Sequence, residues 1–286
     1  EGRSLLQETV VRNMPFCDEF IIVTKESYRN IVNGQMKAFQ SLKYRVVLEG
    51  SPKGTAAAIM LGSQFCNQSE LVFVVTADNL IEGQEYKDAI IRAKELAKQG
   101  SIVALGVKPA KKNSNFGYLL RDEENVLKFI EKIRLDDDES FGYDDGFLWN
   151  SGMFLYRAGD LINAARAICP ELYDTCRMAK RKVAAIRRTV RFSQKVMKDI
   201  PQGSIERLIF EKLKDMKVVE TVFRWKDVGN VCDLDENSSV SHSENVLKNH
   251  CEDVMVINSA DRQLVVTNDI QDVVVVNTED AVYVSS

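Results

Sequence analysis

The sequence predicts an α/β protein with a mixed central sheet, followed by a small all-β unit. Three observations predict it. Short β-rich runs alternate with helical stretches through residues 20–107, the pattern of β-α-β units. After residue 108, strands follow one another over short connections, which calls for antiparallel or mixed pairing. Beyond about residue 235 helical periodicity stops, and Val-rich runs broken by Asn/Asp turns take over. The expected domains are therefore 1–234 and 235–286.

The elements follow in order. "FIIVT" (20–24) is a short strand, and Tyr28, Ile31, Val32, Gln35 and Phe39 mark a helical stretch after it. "YRVVLE" (44–49) is the next strand. "TAAAIMLGSQFC" (55–66) is apolar and small, suited to a helix packed on a sheet. "LVFVVT" (71–76) is apolar throughout, as in a strand covered on both faces. "EYKDAIIRAKELAKQG" (85–100) is amphipathic and ends at Gly100, a natural helix stop. "SIVALGV" (101–107) is a further strand. This alternation implies a parallel sheet with right-handed crossovers in the first part of the chain. "FGYLLRD", "NVLKFIEK" and "GFLWNSGMFLYR" then read as strands, 158–191 as a helical block, 204–213 as a helix and "VVETVFRW" (218–225) as a strand. In the tail, "DVMVINS", "QLVVTN" and "DVVVVNTEDAVYV" read as short strands, in the manner of stacked β-helix coils.

Composition narrows the function classes. The chain has 286 residues, a net charge of -4 and a pI near 5.5. That argues against nucleic acid or an anionic membrane as partner, since both need clustered positive charge. Residues 177–191 hold seven basic side chains, but no aromatics interleave to stack bases, so a solvated helix face is the expectation. No run of 18 apolar residues occurs, and Glu1-Gly2-Arg3-Ser4 lacks a signal-peptide pattern. Six cysteines without a C-x-x-C pair suit reduced thiols in a cytoplasmic protein. The spacing of Cys232, His242, His250 and Cys251 fits no standard zinc module.

Five stretches carry more polarity than packing requires. In "LEGSPKGTAAA" (48–58) a strand ends in a Pro-Lys-Gly turn, and Thr55 is placed to cap the next helix. A cation and free N–H groups there make an anion-binding corner. In "FVVTADNLI" (73–81) Asp78 stands at a strand's carboxyl end, where open α/β sheets bind ligands and a carboxylate can hold Mg²⁺. In "FIEKI" (129–133) Glu131 can accept from sugar hydroxyls and Lys132 can pair with a phosphate. In "FRWKDVGNV" (223–231) Asp227 is a second carboxylate that the sheet could bring to Asp78, and two carboxylates are the usual minimum for gripping catalytic Mg²⁺. In "DGFLWNSGMFLYRAGD" (145–160) Asn150-Ser151-Gly152 interrupt a core strand, as a bulge or as the edge of a ligand pocket. No Ser-His-Asp or Cys-His constellation occurs, and the two histidines, His242 and His250, lie in the tail.

The order of these pieces resembles the mannose-1-phosphate guanylyltransferases of the sugar-nucleotidyltransferase superfamily. "FLWNSGMFLYR" and "WKDVG" carry the resemblance most specifically, with "EGSPKGTAAAI", "TADNLI", "FGYLL", "FIEK" and "GSIERLIFEK" between or around them. The resemblance implies a Rossmann-like nucleotide-diphospho-sugar transferase fold, with the tail a left-handed β-helix-like unit. It implies that GTP and mannose 1-phosphate are joined into GDP-mannose and pyrophosphate, with Mg²⁺ held by Asp78 and Asp227. Lys132 would contact the phosphate, Glu131, Asn150 and Gly117 the sugar, and Glu49, Lys53, Gly54 and Thr55 the nucleotide. The strand edges of the tail are open to pairing with a second copy, so a homodimer is an expectation.

Departures qualify that implication. The family's first strand and Gly-rich signature loop would lie ahead of Glu1, outside this sequence. Asn-Thr-Ala-Pro becomes Gly54-Thr55-Ala56-Ala57, His becomes Asn79, Pro becomes Ile133, and Ser-Trp becomes Asn230-Val231. No isomerase-like extension appears up to Ser286, so a second activity is not expected. The alternatives are a related transferase for another sugar or base, or an inactive subunit that only binds sugar nucleotide.

Overall fold

The computed structural model describes residues 2–109, 116–130, 146–186, 188–229, 245–260 and 262–285. Two compact units share the chain. The larger comprises Thr9–Thr76 and Ile81–Arg224; the smaller comprises Glu1–Glu8, Ala77–Leu80 and Trp225–Ser286. The division expected between 234 and 235 falls outside the described residues.

Helix α1 (Leu5–Asn13) starts with a reciprocal cap: Gln7 N donates to Ser4 Oγ at 3.2 Å and Ser4 N to Gln7 Oε1 at 3.0 Å. There follow β1 (Phe20–Lys25), α2 (Arg29–Gln35), β2 (Tyr44–Glu49), α3 (Thr55–Ser63), β3 (Leu71–Val74), β4 (Asn79–Glu82) and α4 (Glu85–Lys98). The chain continues through β5 (Val103–Val107), β6 (Tyr118–Asp122), β7 (Asn125–Ile130), β8 (Phe147–Arg157), α5 (Ala158–Ile168) and α6 (Pro170–Arg181). After β9 (Ala184–Ile186), β10 (Thr189–Phe192), α7 (Gln194–Met197) and α8 (Ile205–Leu208) come β11 (Lys217–Thr221) and β12 (Arg224–Asp227).

The larger unit holds two sheets, ordered β1-β2-β10-β9 and β3-β8-β5-β11-β7-β6. The sequence expected parallel pairing in the first part of the chain and antiparallel or mixed pairing after residue 108; the sheets are mixed, and the early strands divide between the two of them. β1–β2, β2–β10 and β5–β11 are parallel, but β3 and β5 both pair antiparallel with β8. The cause is the length of β8: its 11 residues reach β3, β5 and β6 in turn, so it sits where a parallel neighbour would. The expected helical block 158–191 is corrected. It ends at Arg181, and β9 and β10 follow as a hairpin. In β10, Val190 and Phe192 are buried while Arg191 is exposed, a period of two that the surrounding basic residues mask. The strand expected over 218–225 is two strands, parted at Val222-Phe223.

The core lies between α3 and the strands and helices around it. Ala56, Ala57, Met60 and Leu61 are fully buried with Val47, Cys176 and Phe192. Small residues on α3 let α6 approach closely, which a Leu-rich face would prevent. Helix α4 ends as expected, with Gly100 at φ 101°, where a side chain would be strained.

The smaller unit carries β13 (Val246–Asn249), β14 (Met255–Asn258), β15 (Val265–Asn268), β16 (Val274–Asn277) and β17 (Val282–Ser285). β13 pairs parallel with β15 and β14 with β16, so that Val246 meets Val265 and Met255 meets Val274. The offset is 19 residues throughout, and the sequence repeats with it. Asn249 donates to Asn268, and Asn277 Nδ2 donates to Asn258 Oδ1 at 2.9 Å. The corners repeat too: His250 and Asp269, then Asp253 and Asp272, have positive φ. Val254, Val256 and Val275 fill its interior. Among the described residues no helix is long and apolar enough to cross a membrane.

Candidate active site

In the larger unit the turn after β2 is pinned on both sides. Gly54, at φ 91° and ψ 179°, occupies the position before α3; a Cβ there would stand 2.5 Å from the Gly203 carbonyl oxygen. Gly203 N donates to Lys53 O at 2.9 Å, and Ala56 N donates to Gly203 O at 3.2 Å. The sequence expected Thr55 to cap α3, and this is corrected. Gly54 takes the cap position, and the Thr55 hydroxyl accepts from Ile205 N at 3.0 Å instead. Lys53 Nζ donates to the Lys198 carbonyl at 3.2 Å. The turn thus stands at the start of a nine-residue helix, beside a lysine, with Ala56 N already engaged by Gly203 O.

Glu49 ends β2, opposite Phe192, and is 6% exposed. Its Oε1 has no hydrogen-bond partner among the described residues. Burial raises its carboxyl to about 7, and its charge adds to the burial that pushes the Cys176 thiol up to about 12. A carboxyl whose folded pKa lies above its unfolded value favours the fold when protonated, so stability falls as pH rises from about 4.5 to about 7. Glu49→Gln is expected to flatten that slope. Above pH 7 it should gain up to about 3 kcal/mol on the parent in urea unfolding, and parallel curves for the two proteins would contradict the assignment.

The polar centre of β8 is a bulge as well as a candidate sugar contact. Ser151, Gly152 and Met153 stand opposite Leu105 alone, between the pairs Ala104–Phe154 and Gly106–Asn150. Ser151 Oγ donates to Leu105 O at 2.6 Å, and Gly152 adopts φ 72°. Asn150 is oriented by three bonds. Its N donates to Gly117 O at 2.8 Å, its Oδ1 accepts from Gly152 N at 3.1 Å, and its Nδ2 donates to Glu206 Oε1 at 3.0 Å. A Cβ on Gly117 would make only ordinary contacts, at 3.4 Å with Ile130 O and 3.9 Å with Asn150 Cβ. Protein packing therefore does not demand a glycine there. Glu206 escaped the sequence reading. It sits one residue into α8 behind the Ser204 cap, which accepts from Arg207 N, and that capping pattern already explains the stretch. Glu131 and Lys132 lie outside the described residues.

The smaller unit brings Asp78 and Asp227 together. Val228 N donates to Asp78 O at 3.0 Å, joining the two chain segments. Between the carboxylates stands Asn79, 3% exposed, whose Nδ2 donates to Asp227 Oδ1 at 3.0 Å and to Asp78 Oδ1 at 3.4 Å. Trp225 Nε1 donates to Asn79 Oδ1 at 3.0 Å. Two carboxylates within reach of one amide nitrogen are a hard-oxygen donor set, which suits a hard divalent cation. Among the described residues no group of three or more His, Cys, Asp or Glu is placed to hold a metal. A cation here would complete its shell with water or substrate oxygens, as Mg²⁺ commonly does.

The family model described as nucleotidyl transferase matches residues 1–244. A mannose-1-phosphate guanylyltransferase of Salmonella typhimurium is 29% identical over 263 residues, covering 87% of this chain and 55% of that protein. The chain spans about half the length of the curated relatives it matches. A solved structure described as mannose-6-phosphate isomerase from Helicobacter pylori is 31% identical, with a TM-score of 0.75 over 79% of this chain and 91% of that one. Another, described as mannose-1-phosphate geranyltransferase from Thermus thermophilus, has a TM-score of 0.77 over 99% of this chain and 85% of that one; at 24% identity it speaks for the α/β fold alone. With its match extending over most of the sequence, this chain belongs to the nucleotidyl transferase family.

Proposed function

We propose that this chain joins mannose 1-phosphate and GTP into GDP-mannose and pyrophosphate. The convergence of Asp78 and Asp227 on one buried amide is the observation that carries the reading. The names of the curated relatives supply the substrates. A phosphate oxygen of mannose 1-phosphate forms a bond to the α-phosphorus of GTP, the bond from that phosphorus to the β-phosphate bridging oxygen breaks, and pyrophosphate leaves. Such transfers need alignment and charge neutralisation more than covalent work by the protein. Nucleotidyltransferases of this family generally use a divalent metal, which we read as Mg²⁺; it supplies neutralisation of the α-phosphate. Asp78 and Asp227 would hold it.

The remaining roles fall to the chain's own groups. The turn Lys53-Gly54-Thr55 offers a cation and helix N–H groups to the nucleotide, with Glu49 behind it. Lys132 would steer the attacking phosphate and Glu131 the sugar, as the resemblance implies. Asn150 reaches a sugar hydroxyl with the donor and acceptor capacity that Glu206 and Gly152 leave it, and the Glu206 carboxylate adds an acceptor beside it. The C-terminal strands read as a left-handed β-helix, and a homodimer in the cytoplasm completes the reading.

The Helicobacter pylori relative's description supplies a second reading, aldose–ketose isomerisation of mannose 6-phosphate. The turn could hold that substrate's phosphate too, so activity has to separate the two readings. The test is pyrophosphate release by the full chain with Mg²⁺, mannose 1-phosphate and each nucleoside triphosphate in turn. Release with GTP above the others is expected. Release with none of them would leave a subunit that only binds, and fructose 6-phosphate formed from mannose 6-phosphate would favour the isomerase.

A further inference from the structure

We propose that Asn79 is a positioning residue that sets the Asp78 and Asp227 carboxylates for one shared cation, and that Trp225 fixes the direction of its amide. The inference rests on the reading of those two carboxylates as a cation pair.

The two ends of an amide have nearly the same shape, so partners decide which way it points. Indole N–H is a donor only. Its 3.0 Å bond to Asn79 therefore requires the carbonyl oxygen on the Trp225 side, which turns both N–H donors toward the carboxylates. Flipping the amide would aim an oxygen at two anions and an amine at the indole donor. The orientation is thus set on three sides.

The arrangement also does something that packing alone does not ask for. The backbone bond from Val228 N to Asp78 O already ties the two segments. The side-chain network cross-links the same segments and, beyond that, acts on the carboxylate oxygens. Two like charges at close range repel, and one amide nitrogen shared between them offsets the repulsion without neutralising either. The neutral amide preorganises the pair, so a cation meets donors already converged and need not gather them.

Mn²⁺ binding, read by the electron spin resonance signal of the free ion, tests this with the parent chain and four variants: Asp227→Asn, Asn79→Leu, Trp225→Phe, and the last two combined. Asp227→Asn is expected to abolish measurable binding. Asn79→Leu should weaken binding about tenfold or more, the size of a lost charge-assisted hydrogen bond. Trp225→Phe should weaken it less, and the double variant should be no weaker than Asn79→Leu, because the indole acts through the amide. Asn79→Leu binding as tightly as the parent, or effects of the two substitutions that simply add, would overturn the positioning role. Parent-like binding by Asp227→Asn would instead overturn the cation pair itself, and the proposal with it. Should Asn79→Leu not fold, Trp225→Phe decides: unchanged affinity in that variant overturns the proposal.

Discussion

Asp227→Asn is expected to fold as the parent does and to release pyrophosphate about a thousandfold more slowly or worse. The fold survives because the substituted amide keeps a carbonyl oxygen where Asp227 Oδ1 accepts from Asn79. What is lost is one unit of negative charge and an anionic ligand. Metal-assisted neutralisation of a transferring phosphate is worth several kcal/mol, and each 1.4 kcal/mol is tenfold in rate. Asp78→Asn should behave alike, since its carboxylate is exposed and shares the same amide. Initial-rate measurements with circular dichroism on the same samples decide it. Near-parent turnover by a folded Asp227→Asn protein would remove Asp227 from the metal site.

Gly54→Ala is expected to disturb both the fold and nucleotide affinity. A φ of 91° with ψ of 179° is nearly confined to glycine, and holding another residue there costs about 1–3 kcal/mol. The added Cβ would also press within 2.5 Å of a backbone oxygen that has no rotamer to escape into. Residues 203–205 must move away, which loosens the bonds to Lys53, Ala56 and Thr55. A melting temperature lower by several degrees and a KM for GTP raised about tenfold are expected. Parent values for both would show that the turn is not the rigid element described.

Much of the larger unit could be read from sequence because its signals are local. The period of α4, the Gly100 stop and the apolar run of β3 all lie inside one short window. The pairing of β3 with β8 depends on a strand 11 residues long meeting several partners, and no window shows that. In β10 the alternation of Val190 and Phe192 is only four residues long, and the arginines around it imitate a helix face. Among the site residues, Asp78 and Asp227 stood out by their place at strand ends and Asn150 by interrupting a core strand, and the family resemblance then gave them roles. Glu206 and Asn79 did not stand out, because their meaning comes from partners 56 and 148 residues away. The 19-residue repeat was open to inspection, with Asn249/Asn268 and Asn258/Asn277 in step, but its two copies differ at most positions.

The smaller unit draws on three separated stretches, 1–8, 77–80 and 225–286. During synthesis from the amino end, Asp78 leaves the ribosome long before Asp227 exists. For that interval its carboxylate has no partner, and nothing can be gripped between the two. In the proposed reading, cation gripping therefore arrives in one late event, when residues 225–228 fold back onto a segment made roughly ten to thirty seconds earlier.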